Sequence, residues 1–396
     1  MSATSSKIPG GKTADPKASD PGTSDERPRP LDRPRPQAVD VGFHDLSAWP
    51  GARAAEAAGA ASMRGFDPAY RDIVDYILRS THRIWEEKGV GLIDSHYRHN
   101  AVVHAPSGTT YGREAVVAAT LQTLNAFPDR RLYGQAVVWS GDDRAGFYSS
   151  HRILNTGTNR GPTAWGPATG RRAQWQGIAD CFVVENRICE EWLVRDDAHL
   201  ARQLGYDLDV LARTLATADA ARGVQPEPGL DAARAPGQYA RASRPEPEPR
   251  GDPEARVAWF LDEIWNGRML NRIADLYAAD ALLHGPGGRQ HRGPGAIAGH
   301  ALALLAAMPD AVLTIEHVNH VADPQAGTTV AVRWRLAGTH DGPGVFGPAS
   351  GARLGILGIS HLRLAGGRVA EEWRVAEEWT VFDELTVRRQ IALHRG

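Results

Sequence analysis

The sequence predicts an α+β protein in which one type of domain occurs twice along the chain. Three observations predict this class: helical periodicity is followed by strand-like alternation, this order recurs, and landmark residues repeat at a constant offset. The landmarks are the pairs Trp85 and Trp265, Tyr97 and Tyr277, and His104 and His284, each 180 apart, and Pro128 and Pro309, Gly166 and Gly347, and Trp192 and Trp373, each 181 apart. A period of this length indicates two whole domains in tandem.

Composition limits the function classes. The 396 residues suffice for two domains, and the formal net charge of −2 gives no reason to expect nucleic acid or a membrane surface as a partner. Two cysteines, Cys181 and Cys189, are too few for a disulfide framework, so we expect a reducing, cytoplasmic setting. No run approaches the ~20 apolar residues of a membrane span, and the N-terminus lacks a signal-peptide core. We therefore expect a soluble protein with a small-molecule partner.

The first domain is predicted at 66–215, after a Pro-rich, Ser-rich segment at 1–65 that is typical of a disordered tail. Asp67 and Pro68 are expected to start its first helix. The further predicted elements are a short helix around 92–97, a strand at 101–106, a helix at 112–127, strands at 132–139, 146–154, 172–184 and 187–194, and a helix at 210–221. This order indicates a curved antiparallel sheet wrapped against helices.

The second domain is predicted at 253–396 and opens as the first does, with Asp252 and Pro253 before a helix. Between the domains, 216–252 contains a Pro-Glu-Pro-Glu-Pro run at 245–249, which favours a semi-extended linker. Because the same unit occurs twice, we expect the domains to pair within one chain, and further assembly into a homo-oligomer stays open.

Two aspartates are the first candidate catalytic residues. Alternation along the strand at 172–184 places Asp180 and Phe182 on one mainly apolar face, and alternation from Trp192 places Asp196 at the end of the neighbouring strand. We expect both carboxylates to face one cavity, where burial and mutual repulsion would make one a proton donor and the other an acceptor. A solvated Asp180 at a sheet edge is the alternative interpretation.

The second domain offers His361 as the counterpart of Asp180, and we include it among the candidate catalytic residues. The counterpart of Asp196 is less direct, because Glu-Glu-Trp occurs twice, at 371–373 and at 377–379. The distance to the following helix favours Asp383, and Glu377 is the second choice.

The expected substrate contacts are histidines and aromatic residues at strand ends and in loops. His104 and His284 each end a first strand, and we interpret them either as ligand contacts or as histidines bonded to the next loop. Trp165 and Phe346, in WGPATGRR and FGPASGAR, are expected to close the pocket mouths. The complete set is His104, His284, Trp165, Phe346, Phe182, Tyr148, His340, Trp192 and Trp373.

Two further pairs of polar residues have simpler interpretations. Glu190 and Glu191 are expected to be solvated or salt-bridged. His96 and His99 stand three apart, but no carboxylate or cysteine completes a recognisable ligand set, so we expect surface histidines. We predict neither a metal nor a cofactor.

These residues resemble the SnoaL-like branch of the NTF2-like superfamily, the family of polyketide cyclases. The specific marks are the Glu-Glu-Trp strand ending in Asp196, the Gly-Pro-Ala-Thr-Gly loop at 166–170, and a helix closing in Arg202-Gln203-Leu204. The resemblance implies two cone-shaped barrels, each a bent sheet covered by helices around a deep pocket. It also implies that Asp196, and by extension Asp383, acts as general acid/base in an intramolecular aldol closure.

The resemblance is incomplete at the proton relay. The cyclases use a histidine on the neighbouring strand where this chain has Phe182 and Arg363. Our leading hypothesis is a cofactor-independent acid/base enzyme acting on a small cyclic or polyketide-like substrate by aldol cyclisation, isomerisation or hydrolysis. The competing hypothesis is a non-catalytic tandem protein that binds small molecules or acts as a scaffold, with its domains forming a pseudo-dimer within the chain.

Overall fold

The computed structural model describes residues 44–45, 63–223, 246–248, 251–323, 327–365 and 374–395. Most of the predicted N-terminal tail and of the predicted linker lies outside these residues. Strand β1, His44–Asp45, belongs to the tail segment and pairs with Gly134 and Tyr133 of the first domain.

The first domain follows the predicted order of helices and strands. Its elements are α1 (Ile73–Trp85), α2 (Ile93–His96), β2 (Tyr97–Ala105), β3 (Gly108–Tyr111), α3 (Arg113–Ala126), β4 (Arg131–Asp142), β5 (Gly146–Thr158), β6 (Arg172–Val184), β7 (Arg187–Arg195), α4 (Asp197–Leu204) and α5 (Leu208–Ala221). The predicted start of α1 at Asp67 is wrong, because Asp67 accepts a hydrogen bond from Ala69 N in a local turn. The helix is instead capped by Asp72, which accepts from Asp75 N at 2.8 Å.

The second domain repeats this order with few changes. Its elements are α6 (Pro253–Leu261), α7 (Ile273–Leu276), β8 (Tyr277–Gly285), β9 (Arg289–Arg292), α8 (Gly293–Ala307), β10 (Val312–Asp323), β11 (Gly327–Thr339), β12 (Arg353–Ala365), β13 (Arg374–Phe382) and α9 (Glu384–Arg395). The predicted pair of tandem α+β domains is therefore confirmed. No helix in the described part of the chain has the length and apolarity that a bilayer crossing requires.

Each domain bends one sheet around its helices. The strand order is β1-β4-β5-β6-β7-β2-β3 in the first sheet and β10-β11-β12-β13-β8-β9 in the second. All pairs are antiparallel except β2 with β7 and β8 with β13, which are parallel. The concave side of each sheet faces helices of its own domain, and the convex side is left for other contacts.

Strand pairing fixes the correspondence between the two domains. His104 lies opposite Trp192 in the first sheet, and His284 lies opposite Trp379 in the second. Trp379 is thus the counterpart of Trp192, and the predicted equivalence of Trp192 with Trp373 is wrong. Trp373 itself lies outside the described residues. The register also confirms the preference for Asp383 over Glu377 as the counterpart of Asp196, because Asp196 and Asp383 both directly precede the helix that follows the strand.

The two domains pack convex face to convex face. Ile178, Trp192 and Val194 of the first sheet form one buried apolar cluster with Leu357, Ile359 and Val381 of the second. Each domain contributes one arginine that stacks on a tryptophan of the other domain. Arg333 lies 3.5 Å from the ring centre of Trp192, and Arg152 lies 4.5 Å from the ring centre of Trp379. Arg152 is the counterpart of Arg333 in the repeat, and Trp192 is the counterpart of Trp379. The contact is therefore approximately two-fold symmetric.

Candidate functional site

The concave face of the first sheet lines a cavity of about 170 Å³ between the sheet and helices α1 and α3. Strand β6 contributes only the small side chains of Gly177, Ala179 and Cys181 to its floor. These residues lie opposite Ile153, His151 and Ser149 of β5 on one side, and opposite Arg195, Leu193 and Glu191 of β7 on the other. Because β6 carries only small side chains on this face, space remains between the polar side chains of β5 and those of β7.

A buried carboxyl, Glu191, is the acidic group of this cavity. Its side chain is 8% exposed, and Tyr97 donates a hydrogen bond from its hydroxyl to Glu191 Oε2 at 2.8 Å. Burial raises the pKa of Glu191 above its ordinary value, and burial also raises the pKa of Tyr97 well above its own. Glu191 is therefore a carboxyl whose pKa is shifted upward, toward neutral pH. Tyr97 stays protonated and orients this carboxyl through its hydrogen bond.

A neutral histidine, His151, lies on the other side of the floor. Burial lowers its pKa to about 3, so the imidazole carries no charge at neutral pH. Its Nε2 atom has no hydrogen-bond partner within the described chain, nor has the nearby Ser149 hydroxyl. A buried polar group without a partner is costly, and His151 is one of the residues that line the cavity. The arrangement can donate or accept one hydrogen bond to a bound molecule.

A buried guanidinium, Arg130, lies at another part of the cavity wall. Its Nε and Nη2 atoms donate to Asn155 Oδ1 at 3.2 and 2.7 Å, while Nη1 has no partner among the described residues. The guanidinium lies 4.2 Å from the ring centre of Trp85 and 5.6 Å from that of Trp175. Burial lowers the pKa of Arg130 to about 9, which still leaves it charged at neutral pH.

The corresponding space in the second domain is nearly filled, with about 40 Å³ remaining. The ring of Trp334 covers Gly358 so closely that a Cβ added there would lie 2.2 Å from a ring atom. Glu378 repeats the Glu191 arrangement, because the Tyr277 hydroxyl donates to its Oε2. Its other oxygen is also occupied, since the Thr380 hydroxyl donates to Oε1 at 2.5 Å.

The Thr380 hydroxyl is part of a chain of hydrogen bonds that ends at Trp334, the tryptophan that fills the second cone. Trp334 Nε1 donates to the Ser360 hydroxyl at 3.0 Å, and this hydroxyl lies 2.7 Å from that of Thr380. This chain occupies Oε1 of Glu378 and the Tyr277 hydroxyl occupies Oε2, so neither oxygen is left for a ligand.

The predicted placement of Asp180 in a cavity is wrong. Asp180 is buried, and burial raises its pKa as expected, but it lies on the convex face at the contact between domains. Its Oδ2 accepts from Arg333 Nη1 of the second domain at 3.2 Å. The alternation along β6 was correct, but the apolar face that it identified is apolar because it packs against the other domain.

The predicted shared cavity for Asp180 and Asp196 is wrong for the same reason. Asp196 is buried and caps α4, accepting from His199 N at 3.0 Å, and its second oxygen accepts from Gly287 N of the second domain at 2.6 Å. It lines a cleft of about 240 Å³ between the domains together with His284. Asp196 therefore lies outside the cavity of the first cone.

The second-domain candidates, Asp383 and His361, also lie outside both cones. Asp383 caps α9 and accepts from the Thr386 hydroxyl at 2.6 Å; burial, with the charge of Asp197 nearby, raises its pKa to about 7. His361 Nε2 lies 2.8 Å from the Ser150 hydroxyl across the domain contact, and burial lowers its pKa well below the ordinary value.

The expected substrate contacts lie on outer faces and in loops. His104 and His284 stack on Trp192 and Trp379 and pair with Glu190 and Glu377 at 2.9 and 3.3 Å. The remaining placements are Phe182 and Tyr148 packed together near His317, Trp165 against Tyr206, His340 bonded to Ser350, and Phe346 in a groove between α5 and α9. None of the twelve described candidates lines the cavity of the first cone.

The sequence argument missed the cavity residues for identifiable reasons. Glu190 is salt-bridged as expected, but the same expectation for Glu191 is wrong because its side chain turns inward. His96 is buried too, with Tyr70 OH 2.7 Å from its Nε2. A usable signal existed in the repeat: the cavity residues His151, Asn155 and Arg130 replace the apolar Val332, Leu336 and Ala311 of the second copy.

One group in the described chain has the geometry to hold a metal ion: Asp252, Glu254 and His320. His320 Nδ1 lies 3.0 Å from Glu254 Oε1, and Asp252 caps α6 by accepting from Glu254 N. These bonds give the group a structural role in joining α6 to β10, away from the cavity of the first cone.

The fold and site define a class: two cone-shaped α+β domains in tandem, one of which encloses a polar cavity. A family model described as SnoaL-like polyketide cyclase matches 76–204 and 255–391, which together exceed half of the chain. The chain belongs to this family, with two copies of its domain. No curated protein matches the chain.

Solved structures match single domains. IdmH from Streptomyces antibioticus is 23% identical, with 35% of this chain and 99% of that chain covered and a TM-score of 0.29. TsrD from Streptomyces laurentii is 22% identical, with 35% and 98% covered and a TM-score of 0.30. A SnoaL-like polyketide cyclase from Agrobacterium tumefaciens is 20% identical, with 33% and 97% covered and a TM-score of 0.28.

Proposed function

We propose that the first domain is a cofactor-independent acid/base enzyme acting on a small cyclic ketone-like substrate, and that the second domain is its structural partner. The observation that carries this proposal is the difference between two cones of one fold. Glu191 and His151 border an open cavity, whereas the equivalent Glu378 has both oxygens occupied beside Trp334. A cavity of about 150 Å³ can hold one benzene ring, which sets the scale of the bound part of the substrate.

In the proposed reaction, Glu191 removes a proton from the carbon beside a carbonyl. Tyr97 holds the carboxylate in position through its hydrogen bond. The raised pKa of Glu191 brings its basicity closer to that of the carbon acid, which favours proton transfer. The neutral His151 donates its Nε2 proton as a hydrogen bond to the carbonyl oxygen, where the negative charge of the enolate develops.

The enolate then has two outcomes that both regenerate the carboxylate. In an intramolecular aldol closure its carbon attacks a second carbonyl, and Glu191 returns the proton to the new alkoxide. In an isomerisation Glu191 returns the proton to a different carbon. Each outcome balances protons without any external oxidant or reductant.

The scaffold hypothesis is retained for the second domain. Its cone is filled by Trp334, and its convex face buries Leu357, Ile359 and Val381 against the first domain. We propose that this contact forms a pseudo-dimer within one chain, which covers the outer face of the catalytic sheet.

The test compares Glu191→Gln with Glu378→Gln in the full chain. Exchange of the ring protons beside the carbonyl of 3-oxocyclohexanecarboxylate is followed by NMR in deuterated buffer. We expect Glu191→Gln to slow the protein-catalysed exchange by about 10²–10⁴-fold, the usual contribution of a general base. Glu378→Gln should stay within twofold of the parent, because its carboxyl contacts only protein groups.

Circular dichroism and the thermal midpoint establish that both variants are folded. Equal rates in the parent and in Glu191→Gln would refute the assignment of the base. Equal losses in both variants would refute the division of roles between the domains.

A further inference from the structure

Arg130 is the strongest unexplained feature of the cavity. Its residue is 9% exposed, and no ion pair within the described part of the chain includes it. Its hydrogen bonds go to a neutral amide, Asn155, and one terminal nitrogen has no partner in the part of the chain that the structure describes. A buried charge without a counter-charge is among the costliest groups in a protein interior.

Of the charges around Arg130, Arg195 increases this deficit, whereas Asp197 and Glu86 offset part of it. Arg195 lies on the same cavity wall and lowers the pKa of Arg130, after the larger effect of burial. The nearest acids are engaged elsewhere, since Asp197 pairs with Arg195 at 3.3 Å and Glu86 with Arg131 at 2.9 Å. This part of the cavity is therefore positive and favours an anion.

The fold itself does not require Arg130. Asp129 and Asp310 make the same bonds to Thr158 and Thr339 in the two domains, which fixes Ala311 as the counterpart of Arg130. The second domain builds the same turn with an alanine there, and Leu336 replaces Asn155. The arginine and its amide thus occur together only in the copy whose cavity is open.

We propose that the substrate of the first domain carries a carboxylate, which binds the free Nη1 edge of Arg130 within the cavity. This inference rests on the proposed function, since it takes the cavity as the active site. Asn155 holds the guanidinium from one side, and the rings of Trp85 and Trp175 lie over it. The guanidinium is thereby oriented before the ligand arrives, which lowers the entropy lost on binding.

The carboxylate also places the substrate relative to the proton-transfer groups. Asn155 and His151 lie on the same face of β5, four residues apart, with Ile153 between them on that face. At ~3.3 Å per strand residue, the backbone positions of Asn155 and His151 are about 13 Å apart along β5. The side chains of Arg130 and His151 both line the cavity between these positions, so the inferred pose has the carboxylate of a cyclic keto acid at Arg130 and its carbonyl directed toward His151.

The experiment measures binding, not turnover. Calorimetric titrations at neutral pH and low salt compare 3-oxocyclohexanecarboxylate with its methyl ester, using the parent chain, Arg130→Gln, Arg130→Lys and the control Arg131→Gln. Arg131 is the adjacent arginine, with a side chain 53% exposed. We expect the parent to bind the acid at least tenfold more tightly than the ester.

Arg130→Gln should abolish this preference by weakening the acid and leaving the ester unchanged. Arg130→Lys should retain part of it, and Arg131→Gln all of it.

Equal affinity for acid and ester in the parent would overturn the inference, as would a preference that survives in Arg130→Gln. Failure to bind either probe would overturn it as well. A preference for the acid that depends on Arg130, together with unchanged exchange in Glu191→Gln, would refute the proposed base and leave the anion site standing.

Discussion

The two cones of this chain share one fold and differ in what fills them. Both carry a buried Glu–Tyr pair, Glu191 with Tyr97 and Glu378 with Tyr277. In the first cone the floor beside the pair is open, and in the second it is occupied by the indole of Trp334 lying on Gly358. The Glu–Tyr pair therefore belongs to the architecture of the domain. A binding site additionally requires open space next to the pair.

One difference between the two spaces lies on the second strand of the meander. Ile153 in the first domain corresponds to Trp334 in the second, and the glycine beneath them is present in both, as Gly177 and Gly358. The second domain also has apolar Val332, Leu336 and Ala311 where the first has His151, Asn155 and Arg130. The loss of the cavity and the loss of its polar groups are consistent with each other, because a filled cavity cannot solvate a buried histidine or arginine.

The largest expected effect comes from closing the first cone. Ile153→Trp copies the second domain and places an indole over Gly177, so we expect exchange activity and probe binding to fall by more than 100-fold. Ile153→Leu, which roughly conserves volume, serves as the control and should stay within a fewfold. The measurements are calorimetric titration and the NMR exchange rate. Activity retained in a folded Ile153→Trp protein would break the comparison.

The next effect comes from emptying the second cone. Trp334→Ala removes a large buried side chain, and we expect it to lower the free energy of unfolding by about 3–5 kcal/mol. Denaturant titration monitored by circular dichroism measures this loss. Because the substitution is remote from Glu191, activity under native conditions should remain. A change below 1 kcal/mol would show that Trp334 does not pack as described.

A smaller effect distinguishes the two arginines of the domain contact. Arg333→Ala leaves Asp180 buried without its partner, and we expect a loss of about 3 kcal/mol of unfolding free energy. Arg152→Ala removes a stack on Trp379, worth about 1 kcal/mol. Denaturant titrations of both variants provide the measurement, and equal losses would contradict a separate contribution from the Arg333–Asp180 ion pair.

The smallest effect is a pH dependence of stability at Asp383. Its pKa is raised to about 7 in the folded state, so between the unfolded value and 7 the folded protein binds more protons than the unfolded chain. The contribution of this group is therefore present at low pH and is lost as pH rises through about 7. The slope is at most about 1.4 kcal/mol per pH unit.

Asp383→Asn should flatten the unfolding free energy between pH 5 and 7 while keeping a side chain that can cap α9. The measurement is denaturant titration across that range. An unchanged slope would show that Asp383 is not the titrating group.

The sequence was informative wherever its pattern had one physical cause. The constant offset between landmarks such as His104 and His284 requires two copies of a domain, and alternation along 172–184 requires a strand. Capping was less reliable, since Asp67 and Asp72 both precede the first helix and only packing shows which one caps it. The repeated Glu-Glu-Trp misled the alignment until strand pairing fixed Trp379 opposite His284.

What the sequence determined by itself is the set of side chains on each face of each strand, because the period of two is a property of the backbone. What only the tertiary structure decided is which face encloses a cavity. Both faces of β6 and β7 are buried, one beneath helices and one against the second domain, so polarity cannot distinguish them. Glu191 therefore replaced Asp180 as the acidic candidate. The tertiary structure also showed that the indole of Trp334 covers Gly358 in the second cone, whereas the first cone is open beside Gly177.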